Sequence, residues 1–147
     1  MPLDATSLLI DLNSLFSDPP DNIPDCASAW ASAMESYTIG IIPPSTTVAA
    51  AAAALEAELS SAFENNASSV MLLQLEVAFA NFALLVAAGM QPTYTGTPPP
   101  GLVGFATLGQ AGSHLEAAAN FELKIDTWMK TGLATLNVPP FTVIPWS

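Results

Sequence analysis

The sequence predicts an all-α fold, a helical bundle of about four main helices with an N-terminal helix on a Pro-rich arm and an extended apolar C-terminal tail. Three observations predict it. Long stretches without proline carry apolar residues at helical spacing, Pro and Gly clusters separate these stretches, and an apolar segment bounded by prolines closes the chain. The expected organisation is one domain over 1–147, with helix and arm in 1–24, a helical core in 25–132 and the tail in 133–147.

The first helix is predicted over 4–16, with Asp4 or Thr6 as its N-cap. Its apolar side carries Leu8, Leu12 and Phe16. The acidic, proline-rich connector SDPPDNIP follows and does not continue the helix. A helix on such a stiff arm is expected to dock on its own fold or on a neighbouring subunit.

The second and third helices follow in the same way. The second begins at Asp25 as N-cap and ends at Gly40 and the proline pair after it. One residue of the Ser-Thr-Thr run at 45–47 caps the third helix, which extends to about Phe63. The alanines at 49–54 make a smooth surface that lets a partner helix approach closely, although high helix propensity alone also produces alanine runs.

The longest apolar run, 70–90, predicts a buried helix around which the rest of the chain packs. Gly89, followed by a proline, marks its end. One line at helical spacing consists of Val70, Leu73, Val77, Ala80 and Leu84, and the opposite stripe of polar and small residues consists of Gln74, Ala78, Asn81, Leu85 and Ala88.

A membrane span is the alternative for this run, because about 20 apolar residues cross a bilayer. Glu76 disfavours a span, since an acid near the bilayer centre costs about 2.5 kcal/mol or more. The only cations of the chain are Lys124 and Lys130, so no positive charge flanks the run to orient it. The favoured interpretation is a core helix of a protein that does not span a membrane.

A Pro/Gly-rich loop at 91–112 comes next. Its prolines Pro98, Pro99 and Pro100 favour polyproline II, which either docks in an aromatic groove of a partner or forms a rigid loop across the domain. The second interpretation is favoured because no basic anchor accompanies the prolines. Glycines on either side of 102–108 predict a short helix there, and their spacing fits no phosphate-binding loop.

The last helix is predicted over 113–130, with Ser113 and Glu116 at the spacing of a capping box. The apolar tail after it is expected to be extended. Such a tail has to be covered by its own domain or by another chain. Its candidate interface residues are Phe141, Val143, Ile144 and Trp146.

Composition excludes several functions. The 147 residues include thirteen acids and two bases, for a net charge of −11. This balance argues against binding to nucleic-acid phosphates or to anionic membranes. Only 10% of the residues are charged, against about 25% in typical soluble domains. A surface so poor in charge usually belongs inside an assembly.

Catalytic chemistry is not expected. Cys26 and His114 are the only residues of their types, so neither a disulfide nor a zinc cluster is predicted. No nucleophile stands at a diagnostic spacing from His114. Glu76, if buried, needs a partner or a raised pKa, and a satisfied core carboxylate is favoured over a proton site. We therefore expect no enzyme activity, no cofactor and no metal.

Three segments carry a family resemblance. ASAWASAMESYTIGIIPPSTTVAAAAAALEAEL, GMQPTYTGTPPPG and the closing PWS resemble small proteins encoded among the structural genes of tailed bacteriophages, in which a Trp-containing helix leads through a Pro-Pro-Ser-Thr-Thr turn into an alanine-rich helix. The resemblance covers about two thirds of the chain and consists of composition and turns. It implies a virion component of the neck, tail or baseplate.

The expected function is accordingly a non-enzymatic structural component of a multi-subunit assembly, located in the virion, or in the cytoplasm if the resemblance does not hold. Its partners would be other copies of itself or other structural proteins of the same assembly. An acidic module or assembly chaperone for a basic partner is the alternative, and a membrane-associated helical protein is the second alternative. The candidate interface residues are Leu8, Leu12, Phe16, Pro98, Pro99, Pro100, Phe141, Val143, Ile144 and Trp146.

Overall fold

A computed structural model describes residues 2–65, 67–102, 104 and 112–147. The described helices are α1 (Ala5–Ser17), α2 (Ile23–Thr38), α3 (Val48–Phe63), α4 (Ser68–Ala88) and α5 (His114–Met129). The described strands are β1 (Tyr94–Thr97), β2 (Leu133–Leu136) and β3 (Val143–Pro145). The predicted short helix at 102–108 lies outside the described residues except at 102 and 104.

The mostly helical prediction is confirmed, but the fold also contains a small sheet that an all-α fold lacks. The three strands form an antiparallel sheet in the order β1-β2-β3. Tyr94 pairs with Leu136, and Ala134 pairs with Ile144. The pairing of β1 with β2 joins segments on either side of α5. Strands this short gain their stability from tertiary pairing rather than from their own sequence, so local patterns did not reveal them.

The helices pack in an order that differs from their order along the chain. α3 lies against both α2 and α4, and α1 lies against both α2 and α5. An aromatic cluster then joins four helices: Trp30 contacts Phe16, Phe79 and Phe121, with ring centroids 5.6–5.9 Å apart. Leu55 and Leu59 of α3 are buried in the same core, so all five described helices share it, and α4 forms one side of it.

The prediction that α4 is buried and central is wrong. Its core face consists of Phe79, Phe82 and Val86 with the alanines 78, 83 and 87. The line from Val70 through Leu73 and Val77 to Leu84 is exposed instead. The apolar residues surround α4 almost completely, so spacing alone did not identify the buried side; the two bulky phenylalanines occupy it because they fill the space between helices.

The start of α2 also differs from the prediction. The N-cap is Asn22, whose side chain accepts a hydrogen bond from the backbone N–H of Asp25 at 2.9 Å. Pro24 lies in the first turn, where a backbone N–H has no partner within the helix, so proline is tolerated there. The helix consequently begins before Asp25 rather than after it.

The Ser-Thr-Thr run caps a different helix end from the one predicted. Thr47 stands at the N-cap position of α3 but makes no side-chain capping bond there. Instead Ser45 donates to the carbonyl of Val86 at 2.7 Å, and Thr47 donates to that of Leu85 at 2.6 Å. These are carbonyls of the last turn of α4, which also accept from the backbone N–H of Gly89 at 3.3 and 3.2 Å.

Gly89 allows this arrangement because it has no side chain. A Cβ at this position would lie 2.7 Å from the backbone nitrogen of Thr47 and closer still to the hydroxyls of Ser45 and Thr47. Thr46 adds a backbone hydrogen bond of 3.0 Å to the carbonyl of Gly89. The junction of 45–47 with the end of α4 thus sets the position of α4 against α3.

The C-terminal tail folds onto its own chain. Trp146 is buried, packs on the backbone of Gly132 and donates its indole N–H to the carbonyl of Leu133 at 3.0 Å. Ser147 and Ile42 exchange two backbone hydrogen bonds. The Pro-Trp-Ser ending is therefore anchored to the loop between α2 and α3.

Candidate functional site

The exposed line of apolar residues on α4 is the most unusual surface of the described structure. We call Val70, Leu73, Val77 and Leu84 the outer face of α4. The exposed fraction is 63% for Leu73, 58% for Val77 and 54% for Leu84. Successive positions are three, four and seven residues apart, so the four side chains form one stripe along the helix. A contiguous apolar stripe of this kind marks an interaction surface more often than scattered apolar residues do.

A groove runs beside this face, between α3 and α4, with a volume of about 390 Å³. Glu58, Ser61 and Ala62 of α3 line one side. The α4 side carries Val70, Leu73, Gln74, Val77 and Asn81. The lining residues of the groove are thus half apolar and half polar, with the bulky apolar side chains on α4.

The polar side chains of the groove include one fixed pair. Asn81 donates its amide group to the carboxylate of Glu58, with 3.2 Å from the nitrogen to each oxygen. The pair joins the two helices that form the groove. A carboxylate has about four acceptor positions, so Glu58 retains capacity for a donor from outside the chain.

The predicted interface residues on α1 lie mostly in the core. Leu8 and Leu12 are fully buried, and Phe16 is partly buried, with its ring against Trp30 and Phe121. Asp4 caps the helix as predicted, accepting from the backbone N–H of Ser7 at 3.0 Å. The N-terminal helix therefore docks on its own fold, which is one of the two arrangements that the sequence allowed.

The predicted proline strip lies across the domain. Pro99 is buried, Pro98 is partly buried and Pro100 is exposed. The carbonyl of Pro100 accepts a hydrogen bond from the indole N–H of Trp128. This is the arrangement of a rigid packed loop, which was the favoured interpretation of the three prolines.

The predicted interface residues of the tail divide between core and surface. Trp146 is buried and Ile144 is partly buried, whereas Phe141 and Val143 are exposed. Phe141 has a positive φ of 54°, a conformation that favours glycine, and it stands at the tip of the β2–β3 connection. This tip is a second, smaller exposed apolar patch.

The titratable groups of α5 form a structural network. The hydroxyl of Tyr37 donates to Asp126 at 3.0 Å, and Lys130 pairs with the other oxygen of Asp126 at 2.7 Å. Burial, with the nearby charge of Asp126, raises the pKa of Tyr37 well above its usual range, so it remains a donor. Burial first and Asp126 second also raise the pKa of Glu122.

The remaining candidates for chemistry are separated from one another. His114 is exposed at the first position of α5, and Cys26 packs partly buried against the core, where burial raises the pKa of its thiol. Glu76 accepts the backbone N–H of Gly104 at 3.0 Å. Within the described residues, no group of three or more His, Cys, Asp or Glu side chains is arranged to hold a metal ion.

Among the described helices, α4 is also the one long and apolar enough to cross a membrane. The segment concerned is Ser69–Ala88, with a mean hydropathy of 2.0. Its length and composition do not separate a span from a helix of a soluble core, which passes the same criteria. Phe79, Phe82 and Val86 would have to leave the core for α4 to be surrounded by lipid.

The sequence identified the members of the outer face as one line but placed that line in the interior. The groove beside it, and the pairing of Glu58 with Asn81, were not predicted, because they depend on how α3 and α4 face each other. Comparison with protein-family models, with curated proteins and with solved structures gave no match.

Proposed function

We propose that the protein is a non-enzymatic structural subunit of a larger assembly and that the outer face of α4 is its main docking surface. The observation that carries the proposal is the exposure of Leu73, Val77 and Leu84 along one side of a well-packed helix. Burying a leucine side chain at a contact contributes about 1.5–3 kcal/mol, so a few such residues supply the core of a stable interface.

The virion of a tailed bacteriophage is the assembly that we propose, on the basis of the sequence resemblance. The Pro-Pro-Ser-Thr-Thr turn and the Pro-Trp-Ser ending that carry this resemblance have structural roles in the fold, at the end of α4 and beside Gly132. The docking surface itself lies on other residues.

Site-specific photo-crosslinking tests the proposal in cells in which the assembly forms. A photo-reactive amino acid replaces Leu73, and in a matched variant it replaces Leu123, which is equally exposed on α5 at 64%. We expect discrete protein adducts from position 73 and few from position 123. Position 73 yielding no protein adduct, or no more than position 123, would contradict the proposal.

A membrane-associated function is the second candidate, because α4 has the length and hydropathy of a span. It predicts that the purified chain requires detergent to remain in solution. The structural subunit predicts a soluble monomer or discrete multimer. Size-exclusion chromatography with light scattering, without detergent, separates these outcomes.

A further inference from the structure

We propose that the groove between α3 and α4 binds an amphipathic helix of a different protein, one that carries apolar residues at helical spacing and Lys or Arg along its border. This inference rests on the proposed function and names the chemistry of the partner.

The periodicity of the groove favours a helix as its occupant. Val70, Leu73 and Val77 line it at intervals of three and four residues, which is the spacing of ridges on a helix surface. From Val70 to Asn81 the groove follows about 16 Å of helix, or three turns. A partner helix of three to four turns offers apolar side chains at the same period and fills the space between α3 and α4.

The α3 side of the groove allows a close approach. Two of the three α3 residues that line the groove, Ser61 and Ala62, have small side chains. Small side chains on a helix let a second helix approach with its backbone close by. The bulky apolar residues of the groove belong to α4. A partner helix would therefore pack its apolar side chains against Leu73 and the two valines and bring its backbone close to Ser61 and Ala62.

Charge distinguishes the partner. Glu58 lies in the groove lining, and α3 carries Glu56 as well. The sequence contains no Lys or Arg before Lys124, so neither helix of the groove has a cation to offset these acids. A partner helix with Lys or Arg beside its apolar stripe would pair with Glu58, whereas an acidic one would be repelled.

A second copy of this chain is a less suitable occupant of the groove, because it too is acidic. Each copy carries a net charge of −11, and its two lysines lie on α5 and directly after it, where Lys130 already pairs with Asp126. Symmetric contact of two such grooves would bring acids together. The polar lining contributed by Glu58, Gln74 and Asn81 also disfavours lipid as the occupant.

The test is a selection from a displayed library of 18-residue helical peptides. Their apolar positions vary among Leu, Ile, Met and Ala, and their border positions vary among Lys, Glu and Gln. The folded full-length protein serves as bait. We expect the selected peptides to carry Lys at the border, to bind in solution by fluorescence anisotropy, and to lose affinity as salt is raised.

Two matched pairs of variants locate the binding. Leu73→Gln is expected to weaken the selected peptides about tenfold, while Leu123→Gln leaves them unchanged. Glu58→Gln is expected to weaken them about threefold and to reduce the salt dependence, while Glu56→Gln has less effect. All four positions are at least partly exposed, so the variants should fold, which circular dichroism verifies.

Several results would overturn the inference: selection of no helical peptide, selection of acidic peptides, or binding that Leu73→Gln does not weaken. A wild-type dimer that Leu73→Gln dissociates would assign the groove to a second copy. Flotation of the wild type, but not of Leu73→Gln, with phosphatidylcholine vesicles would assign it to a membrane. If crosslinking from position 73 yields protein adducts in any of these cases, the proposed function stands and only the partner chemistry fails.

Discussion

The two faces of α4 have similar hydrophobicity and opposite environments. Phe79, Phe82 and Val86 are buried against α3 and the aromatic cluster, whereas Leu73, Val77 and Leu84 are exposed on the other side. Both faces are apolar at helical spacing. In this helix, which is apolar all round, the core takes the face that carries the two phenylalanines, and contacts at a fixed helix end hold it there.

The fixed end is the junction of the Ser-Thr-Thr run with the last turn of α4. Its hydroxyls donate to the carbonyls of Leu85 and Val86, which also accept from the backbone N–H of Gly89, so several hydrogen bonds hold this end of the helix. At the same end, Gly96 of β1 approaches Ala87, with a Cβ position 2.8 Å from the Cα of Ala87. These contacts hold the C-terminal end of α4 against residues 45–47 and β1 while its phenylalanines face the core.

The largest expected effect on stability is the difference between alanine substitutions on the two faces of α4. Phe82→Ala should lower the free energy of unfolding by about 3–5 kcal/mol, because it removes a buried ring and leaves a cavity. Leu73→Ala should change it by less than about 0.5 kcal/mol. Urea denaturation followed by circular dichroism measures both. Equal losses would show that the outer face is also packed in the folded chain.

The second comparison concerns the end of the helix. Gly89→Ala should destabilise the fold by about 1–3 kcal/mol, since its Cβ would overlap the hydroxyls that cap α4. Gly101→Ala is the matched control, because nothing lies within 4 Å of a Cβ there. If thermal denaturation shows the two variants to be equally stable, the junction does not hold α4 in place.

The smallest expected effect on stability concerns Glu122, a partly buried acid on α5. The pKa of Glu122 is raised by burial and by Asp126, so the folded state binds this proton more tightly than the unfolded state. Glu122 therefore costs stability at neutral pH, and this cost disappears as pH falls below the usual glutamate pKa.

Glu122→Gln should accordingly stabilise the fold at pH 7 by less than about 1 kcal/mol, and by a smaller amount at pH 4. Urea denaturation at the two pH values measures the difference, with Glu56→Gln on the exposed side of α3 as control. A stabilisation by Glu122→Gln that is larger at pH 4 than at pH 7 would have the wrong sign for this explanation.

The candidate site was predictable only in part. The line Val70, Leu73, Val77 and Leu84 is visible in the sequence, because helical spacing follows directly from residue positions. Its exposure is not, since a soluble helix with an apolar line usually buries that line. A signal was nevertheless present in the two phenylalanines, which occupy the opposite side and bury more surface than the valines and leucines do.

The sequence alone predicts the helices, several of their caps and the acidic, charge-poor character of the chain. These depend on residues within a turn or two of one another, as for Asp4 with Ser7 and Ser113 with Glu116. Tertiary contacts, in contrast, produce the three-stranded sheet, the hydrogen bonds of the Ser-Thr-Thr run to α4 and the outward face of α4. Each of these depends on contacts between segments about 40 residues apart, where many pairings are compatible with the same local pattern and packing selects one.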